Sequence, residues 1–385
     1  MNKTENTTFT FKTMNIINRF KILIVPVLIL LIIIYLNTGV AFSPVEEIDV
    51  VTGYGCDIEE ISKDNILYKI SLSNHIFKED KTFSNVIDGT GKTIIATRDE
   101  RQRKSNKKFV AGLEKIIIFS EDFARYSIRN VINTTFANPH ANDKIWVIVC
   151  KGKAIDLLKF KVIGYPSSAD YIEGIIENSK SLNFFPQNYR LIDSYVRIDE
   201  EGRELVAPYI EIKNDNIEIT GMALFKKDKM VTKVGLEDAK ILNILKEKKS
   251  KGTLSIEENP KQSIDYITEV KRTATCNKIE DKYTFTIDLD FTGDIMCNEL
   301  YGDFLDKPGE NKKFRSDMEK KLKKMCYIFL EKMQKDYKLD CLELGRVAAA
   351  TYGRNTGVDW NEIVSNSDIK VNVKVNIDRY GRGNF

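Results

Sequence analysis

The sequence has few of the side chains on which most catalytic and metal sites depend. Of its 385 residues only His75 and His140 are histidine, so a site with several histidine ligands is excluded. Six cysteines are present, but no two are spaced as CxxC, which rules out the usual zinc-knuckle and thioredoxin-type motifs. The motifs GxSxG and HExxH are also absent. The sequence therefore gives no direct indication of an enzyme.

The chain also has almost no excess charge of either sign. Lys and Arg number 59, and Asp and Glu number 56. The first 21 residues contain Lys3, Lys12, Arg19 and Lys21 against Glu5, which accounts for the whole net charge of +3. The remaining body is therefore balanced, with 55 basic and 55 acidic residues. A neutral body lacks the basic surface that neutralises phosphates, so we expect no nucleic-acid binding.

One long hydrophobic run is present near the N-terminus. Residues Ile22–Leu36 are apolar, and the chain stays free of charge as far as Val45, a run of 24 residues. A helix needs roughly 20 apolar residues to cross a bilayer. The basic residues precede the run, so the positive-inside rule predicts that residues 1–21 form a cytoplasmic tail.

The run has two interpretations, a transmembrane anchor over residues 22–42 or a cleaved signal peptide. Gly39 and Ala41 are small residues at the positions that signal peptidase prefers, and the 15-residue apolar core suits a signal peptide. The long N-terminal region and the continued uncharged run favour the anchor. Both interpretations place the body outside the cytoplasm, where disulfides are permitted. We nevertheless expect most of the six cysteines to be small buried hydrophobic residues.

The next segment, residues 43–202, is predicted to be an α/β domain. Lys115–Phe119 and Ile145–Cys150 are short apolar runs rich in β-branched residues, typical of strands buried on both faces. Helix-like sequence follows each of them, at 121–136 and 154–158. This alternation indicates a partly parallel sheet.

Residues 203–262 are predicted to form a middle α/β domain with hairpins, and residues 263–385 a C-terminal α+β domain. The C-terminal part contains an alternating strand at Tyr283–Phe291, a long helix over residues 311–344 and a final strand at Ile369–Ile377. The polar stretches 196–204 and 246–252 are interpreted as solvated linkers.

Four sets of residues are candidates for a chemical site. Gly89–Thr93 looks like a phosphate loop, but Val86 occupies the position of the first required glycine, so we expect a turn before a helix. Asp57, Glu59 and Glu60, or Asp288 and Asp290, could form the acid pair of a hydrolase. Asp288 and Asp290 are explained as well by a solvated strand face. A Cys–His nucleophile would need His75 or His140, and no spacing favours either. No catalytic, cofactor-binding or metal-binding residue is therefore predicted.

Five blocks of the sequence, in the same order, resemble the Ger(x)C family, the C subunits of bacterial spore germination receptors. They are VVTGYGCD (50–57), KKFVAGLEKIIIFSEDFAR (107–125), VCKGKAIDLL (149–158), ITGMALFKKDKMV (219–231) and a closing set of Asp340, Gly345, Trp360 and VKVNIDRYG (373–381). The fourth is the most specific, since it is similar to the family pattern GxAxFKxDK[LM]V. The resemblance extends from about Glu47 to Gly381.

The sequence departs from the family pattern at a few positions. Family members usually carry a lipobox cysteine directly after a short apolar segment and are diacylated there. In this chain Cys56 lies 20 residues beyond Leu36, so lipidation is not expected. Leu113 stands where His is common and Ser120 where Gly is common.

The resemblance implies three mixed α/β domains in series after the N-terminal segment. It also implies a non-enzymatic subunit, without cofactor or metal, of a receptor that senses small nutrients and triggers germination. Its partners would be polytopic A and B subunits, and its body would lie on the outer face of the spore inner membrane. Two alternatives remain open, an exported cell-wall hydrolase and a tethered solute-binding protein.

Overall fold

The computed structural model describes residues 24–36, 44, 47–62, 65–78, 81–185, 189–280, 282–302, 304, 307–354 and 357–380. The chain divides into two compact units, residues 1–48 and 49–385. The first contains helix α1 (24–36), whose residues are exposed. None of the helices in the described ranges has the length and apolar character of a membrane span. The predicted tail 1–21 and the small residues Gly39 and Ala41 lie outside the described residues.

The second unit contains a large sheet of nine described strands. They are β1 (Ile48–Ile61), β2 (Ile66–Lys78), β3 (Lys81–Gly91), β4 (Lys108–Val110), β5 (Ile116–Ser120), β6 (Trp146–Cys150), β7 (Val206–Lys213), β8 (Asn216–Lys226) and β9 (Lys229–Gly235). The order is β3-β2-β1-β5-β6-β7-β8-β9, with β4 paired to β1. The four central strands β1, β5, β6 and β7 are parallel, and the outer strands pair antiparallel. The predicted α/β architecture with a partly parallel sheet is confirmed.

Helices cover both faces of this sheet. They are α2 (Ile94–Lys104), α3 (Glu121–Tyr126), α4 (Arg129–Phe136), α5 (Ala154–Lys159), α6 (Ser168–Leu182), α7 (Leu191–Asp199) and α8 (Leu236–Lys246). On β5, Ile116 and Ile118 pack with α5, α6 and α8, whereas Ile117 and Phe119 pack with α3, α4 and α7. All four side chains are fully buried. This two-sided burial is why β5 and β6 read as unbroken apolar runs.

A second sheet follows, with α9 (Pro308–Lys332) packed across it. Its strands are β10 (Lys249–Asn259), β11 (Gln262–Ile279), β12 (Lys282–Asn298) and β13 (Asp368–Arg379), in that order, and the last pair is parallel. The alternation predicted for β12 is confirmed, because Phe285, Ile287, Leu289 and Phe291 are buried. Helices α10 (Leu344–Tyr352) and α11 (Trp360–Ser365) lie between α9 and β13 in the chain.

The long helix predicted over residues 311–344 is corrected in its bounds. It begins at Pro308, its α-helical part ends at Lys332, and a π-helical turn, Met333–Tyr337, follows. Lys338 has a left-handed backbone conformation (φ 47°), which ends the helix. The domain bounds at 203 and 263 stay a prediction, although β7–β9 pair within the large sheet and one hydrophobic cluster includes residues of both sheets.

Candidate functional site

Asp57, the first acid considered for catalysis, anchors a helix. Its carboxylate accepts hydrogen bonds from the backbone N–H groups of Ala154 (2.7 Å) and Ile155 (3.0 Å), at the start of α5. Burial raises the pKa of Asp57, and the two N–H donors partly offset that increase. Gly55 allows β1 and α5 to approach closely, because a Cβ at this position would lie 2.9 Å from Leu158 Cδ1. The first and third sequence blocks thus pack against each other.

Glu59, Asp288, Asp290 and the Gly89–Thr93 segment have structural partners too, whereas Glu60 is exposed. Glu59 forms ion pairs with Lys69 and Lys153. Asp288 and Asp290 are exposed and accept hydrogen bonds from asparagine side chains on β13, as a solvated strand face predicts. Gly89–Gly91 are the last residues of β3, and Thr93 Oγ1 accepts the N–H of Ala96 and begins α2, so the predicted turn before a helix is confined to residues 92 and 93.

The two histidines lie in different surroundings. His75 Nε2 is 2.9 Å from Asp170 Oδ2, and Lys115 and Ser167 contact the same carboxylate. Burial alone would raise the pKa of Asp170, but the hydrogen bonds from its three neighbours hold it well below its usual value. His140 is exposed. His75 therefore belongs to a polar cluster that ties β2 to α6.

The six cysteines are free thiols. Four of them, Cys56, Cys150, Cys326 and Cys341, are buried, which confirms the expectation of small buried hydrophobic residues for most of the set. Burial raises the pKa of Cys326 to about 12, so that thiol stays protonated at neutral pH. Within the described ranges, no three His, Cys, Asp or Glu residues are grouped as metal ligands.

A cluster of buried charged side chains surrounds Glu343, and we call it the charged junction. Its carboxylate contacts Arg197 Nε (2.8 Å), Lys246 Nζ (3.4 Å), Arg346 Nη1 (3.4 Å) and Arg203 Nε (4.0 Å). Burial opposes ionisation, but Lys246 and Arg197 outweigh it and lower the pKa of Glu343 to about 2. The carboxylate is therefore charged at any physiological pH.

Glu343 also has a left-handed backbone conformation, with φ 56°. Such a conformation is uncommon outside glycine and costs on the order of 1 kcal/mol. The four cations around its carboxylate hold the Glu343 side chain in place.

A second polar network adjoins the junction. Asp340 accepts the N–H groups of Leu344 (2.9 Å) and Gly345 (2.6 Å), and burial raises the pKa of Asp340 to about 7. Its own N–H donates to Asn361 Oδ1, and Asn361 Nδ2 donates to Glu204 Oε1. Glu204 in turn accepts the N–H of a residue in the β8–β9 hairpin. The network therefore connects the large sheet to α10 and α11.

These contacts correct both linker predictions. Arg197 and Glu204 in the stretch 196–204 are 8% and 6% exposed, and Lys246 at the start of 246–252 is 7% exposed. Residues 191–199 form α7 and β10 begins at Lys249, so neither stretch is a solvated linker. Glu343 compensates the buried charges of Arg197 and Lys246, and Glu204 accepts hydrogen bonds from Asn361 Nδ2 and the N–H of Lys227.

A cavity of about 590 Å³ lies beside strands of the large sheet, and we call it the Arg101 cavity. Its walls come from β1, β2, β4, β5, α2 and α4, together with Asn138, His140 and Ala141. Arg101 is 7% exposed and donates from Nη1 to Ile70 O (3.2 Å) and Thr97 Oγ1 (2.8 Å). Nothing in the sequence distinguishes Arg101, since it lies in an ordinary charged helix segment.

Comparison with protein-family models gives two matches in chain order. A model described as "Spore germination protein N-terminal domain" matches residues 42–212, and one described as "Spore germination B3/GerAC like, C-terminal" matches residues 220–381.

Two curated relatives and one solved structure are also similar. Spore germination protein GerQC of Bacillus cereus is 24% identical over 365 residues, covering 92% of this chain and 98% of the relative. Spore germination protein YndF of Bacillus subtilis (strain 168) is 23% identical over 310 residues, covering 78% and 76%. The crystal structure of the GerBC protein superposes with a TM-score of 0.56 at 15% identity, covering 84% of this chain and 97% of that one. The structural likeness shows a shared fold.

Proposed function

The chain belongs to the Ger(x)C family of spore germination proteins, and from that premise we propose that it is a non-enzymatic subunit of a nutrient germinant receptor. The observation that carries the proposal is the ordered match of both family models over residues 42–212 and 220–381. Together they span nearly all of the body. GerQC and YndF, which match most of this chain, are named as spore germination proteins.

Membrane attachment is the second element of the proposal. The 24 uncharged residues from Ile22 to Val45, with a basic segment before them, support an anchor at 22–42 and a body on the outer face of the spore inner membrane. A lipid anchor is not proposed, because Cys56 lies within β1 and is fully buried. Anchoring confines the body to two dimensions and raises its effective concentration beside membrane partners.

Function through contact is supported by the places that the candidate acids occupy. Asp57 holds the start of α5, and Asp288 and Asp290 accept hydrogen bonds from a neighbouring strand. An exported hydrolase would need such acids facing each other across a cleft. We therefore propose that the body works by binding polytopic A and B subunits, and that the assembled receptor responds to small nutrients.

The proposal is tested by deleting the gene in its host and scoring germination against a panel of amino acids and sugars. We expect loss of the response to at least one nutrient, with recovery when the intact gene is restored. Unchanged germination with every nutrient, in a host without a second copy of the gene, would contradict a receptor role.

The anchor is tested in the same strain with two variants. An exported body lacking residues 22–36 should fail to restore germination, whereas a body attached to an unrelated membrane helix should restore it. Full recovery with the anchorless body at normal protein levels would show that attachment is unnecessary.

A further inference from the structure

The Arg101 cavity has the size and wall chemistry of a small-molecule site. Its volume of about 590 Å³ is within the range of roughly 300–1,000 Å³ that such sites occupy. Much of the wall is aliphatic, with Ile94, Ile117 and Val131 among the lining residues. Ile117 and Val131 are buried in the core of the large sheet, so this part of the wall is fixed.

The charges that line the cavity are of one sign. Arg98, Arg101 and Lys108 line it, and the described lining includes no Asp or Glu. The body as a whole carries equal numbers of acidic and basic residues, so this local excess of positive charge is not a reflection of composition. A cavity with such walls attracts an anion and disfavours a cation.

Arg101 is the buried member of this group. Its Nε has no hydrogen-bond partner, and no described carboxylate forms an ion pair with its guanidinium. The nearest acid on its own helix, Glu100, is engaged by Thr90 and Lys104. Burying an unpaired charge costs several kcal/mol, so a counter-ion from outside the chain would be stabilising.

Arg101 does not lose this charge by deprotonation at neutral pH. Burial lowers the pKa of Arg101 to about 10, which leaves the guanidinium charged at neutral pH. Its hydrogen bonds to Ile70 O and Thr97 Oγ1 fix the group at the wall of the cavity. A planar guanidinium matches the two oxygens of a carboxylate.

We propose that the Arg101 cavity binds a small monocarboxylate with an apolar body, the carboxylate pairing with Arg101 and the body contacting Ile94, Ile117 and Val131. An amino acid would fit less well, because its ammonium group meets cations and no acid among the described lining residues. The binding preference is therefore set by charge, and it is independent of whether the receptor assembles.

The test uses the purified full chain in a non-ionic detergent and calorimetric titration. The probes are aliphatic and phenyl-substituted monocarboxylates, with 4-methylpentanoate at their centre. Leucine and 4-methylpentanol share its apolar body but differ in charge. We expect monocarboxylates to bind at least about tenfold more tightly than either. The proposal is overturned if no monocarboxylate binds with a Kd below roughly 1 mM, or if leucine or the alcohol binds equally well.

Variants assign the binding to this cavity. Arg101→Gln should weaken carboxylate binding at least about tenfold, whereas Arg103→Gln, an exposed position on the same helix outside the lining, should not. Ile95 lines the cavity and is 66% exposed, so its substitution leaves the fold intact. Ile95→Glu should weaken binding by charge repulsion, and Ile95→Gln should not. Equal affinity in Arg101→Gln or in Ile95→Glu would refute the assignment.

Discussion

Arg101 and Arg197 are buried to nearly the same extent, 7% and 8% exposed, but in opposite electrostatic surroundings. Arg197 lies 2.8 Å from Glu343 in the charged junction. Burial lowers the pKa of Arg197, but Glu343 outweighs that effect and the pKa is raised overall. At Arg101, burial is the larger effect, and the pKa is lowered to about 10. Equal burial therefore has opposite consequences for the two guanidinium groups.

The charge of Arg197 is used within the fold, whereas the charge of Arg101 is available to bind a ligand. In the junction, Glu343 compensates cations from α7, α8 and α10, so the charges connect elements of this chain. In the Arg101 cavity, the compensating anion is absent from the described residues. Buried ion pairs add little net stability as a unit but are costly to break, and an unpaired charge costs little to remove. The comparison can therefore be tested by substitution.

The largest expected effect is at the centre of the junction. Glu343→Gln keeps the shape of the side chain but removes its charge, which leaves Arg197 and Lys246 buried without a counter-ion. We expect the free energy of unfolding to fall by about 3–5 kcal/mol. Urea denaturation of the purified chain, followed by circular dichroism, measures this loss.

The matched control is Glu331→Gln on α9, where an exposed carboxylate pairs with Lys335 one turn away. Exposed pairs of this kind contribute little, so no measurable change is expected. If Glu343→Gln were as stable as the control, the ion pairs of Glu343 would not stabilise the contacts among α7, α8 and α10.

An effect of similar size, spread over the range from about pH 4 to about pH 7, is expected from the titration of Asp340. Its pKa in the folded protein is about 7, raised first by burial, whereas an unfolded aspartate titrates near about 3.9. Between these values the folded protein holds a proton that the unfolded chain has released. Stability should therefore decrease as the pH rises from about 4 to about 7, by up to about 1.4 kcal/mol per pH unit.

The titration of Glu343 changes the stability in the opposite direction and in a different pH range. Its folded pKa of about 2 is below the unfolded value of about 4.3, so its contribution is complete above about pH 4.3 and is lost as the pH falls toward about 2.

The Asp340→Asn variant should remove the decrease in stability between pH 4 and 7 in a series of denaturation measurements, whereas Asp336→Asn, at an exposed position, should retain it. An identical slope in Asp340→Asn would contradict the assignment.

Local patterns predicted most of the architecture. The unbroken apolar run of β5 indicated burial on both faces, and Ile116 and Ile117 pack into different clusters as expected. The alternation in β12 identified its buried face in the same way. Both signals depend only on neighbouring residues, so no knowledge of the tertiary fold was needed.

Charged residues that are buried by tertiary pairing could not be predicted in this way. Arg197 and Glu343 are 146 residues apart, and a polar stretch looks like a linker until its partner is known. Arg101 was missed for the related reason that one face of α2 is covered by β2 and β3, although its sequence is highly charged. The hydropathy of a residue depends on its side chain alone, whereas a charged side chain is buried only where other groups of the fold compensate its charge.

The smallest effect on the free energy of unfolding is expected for Arg101→Met. This change loses hydrogen bonds to Ile70 O and Thr97 Oγ1, each contributing roughly 0.5–1.5 kcal/mol, but it also relieves the desolvation of an unpaired charge. We expect these terms to cancel to within about 1 kcal/mol in the same urea measurement. A loss as large as that of Glu343→Gln would mean that Arg101 has a structural partner within the chain, and its charge would then not be available to a ligand.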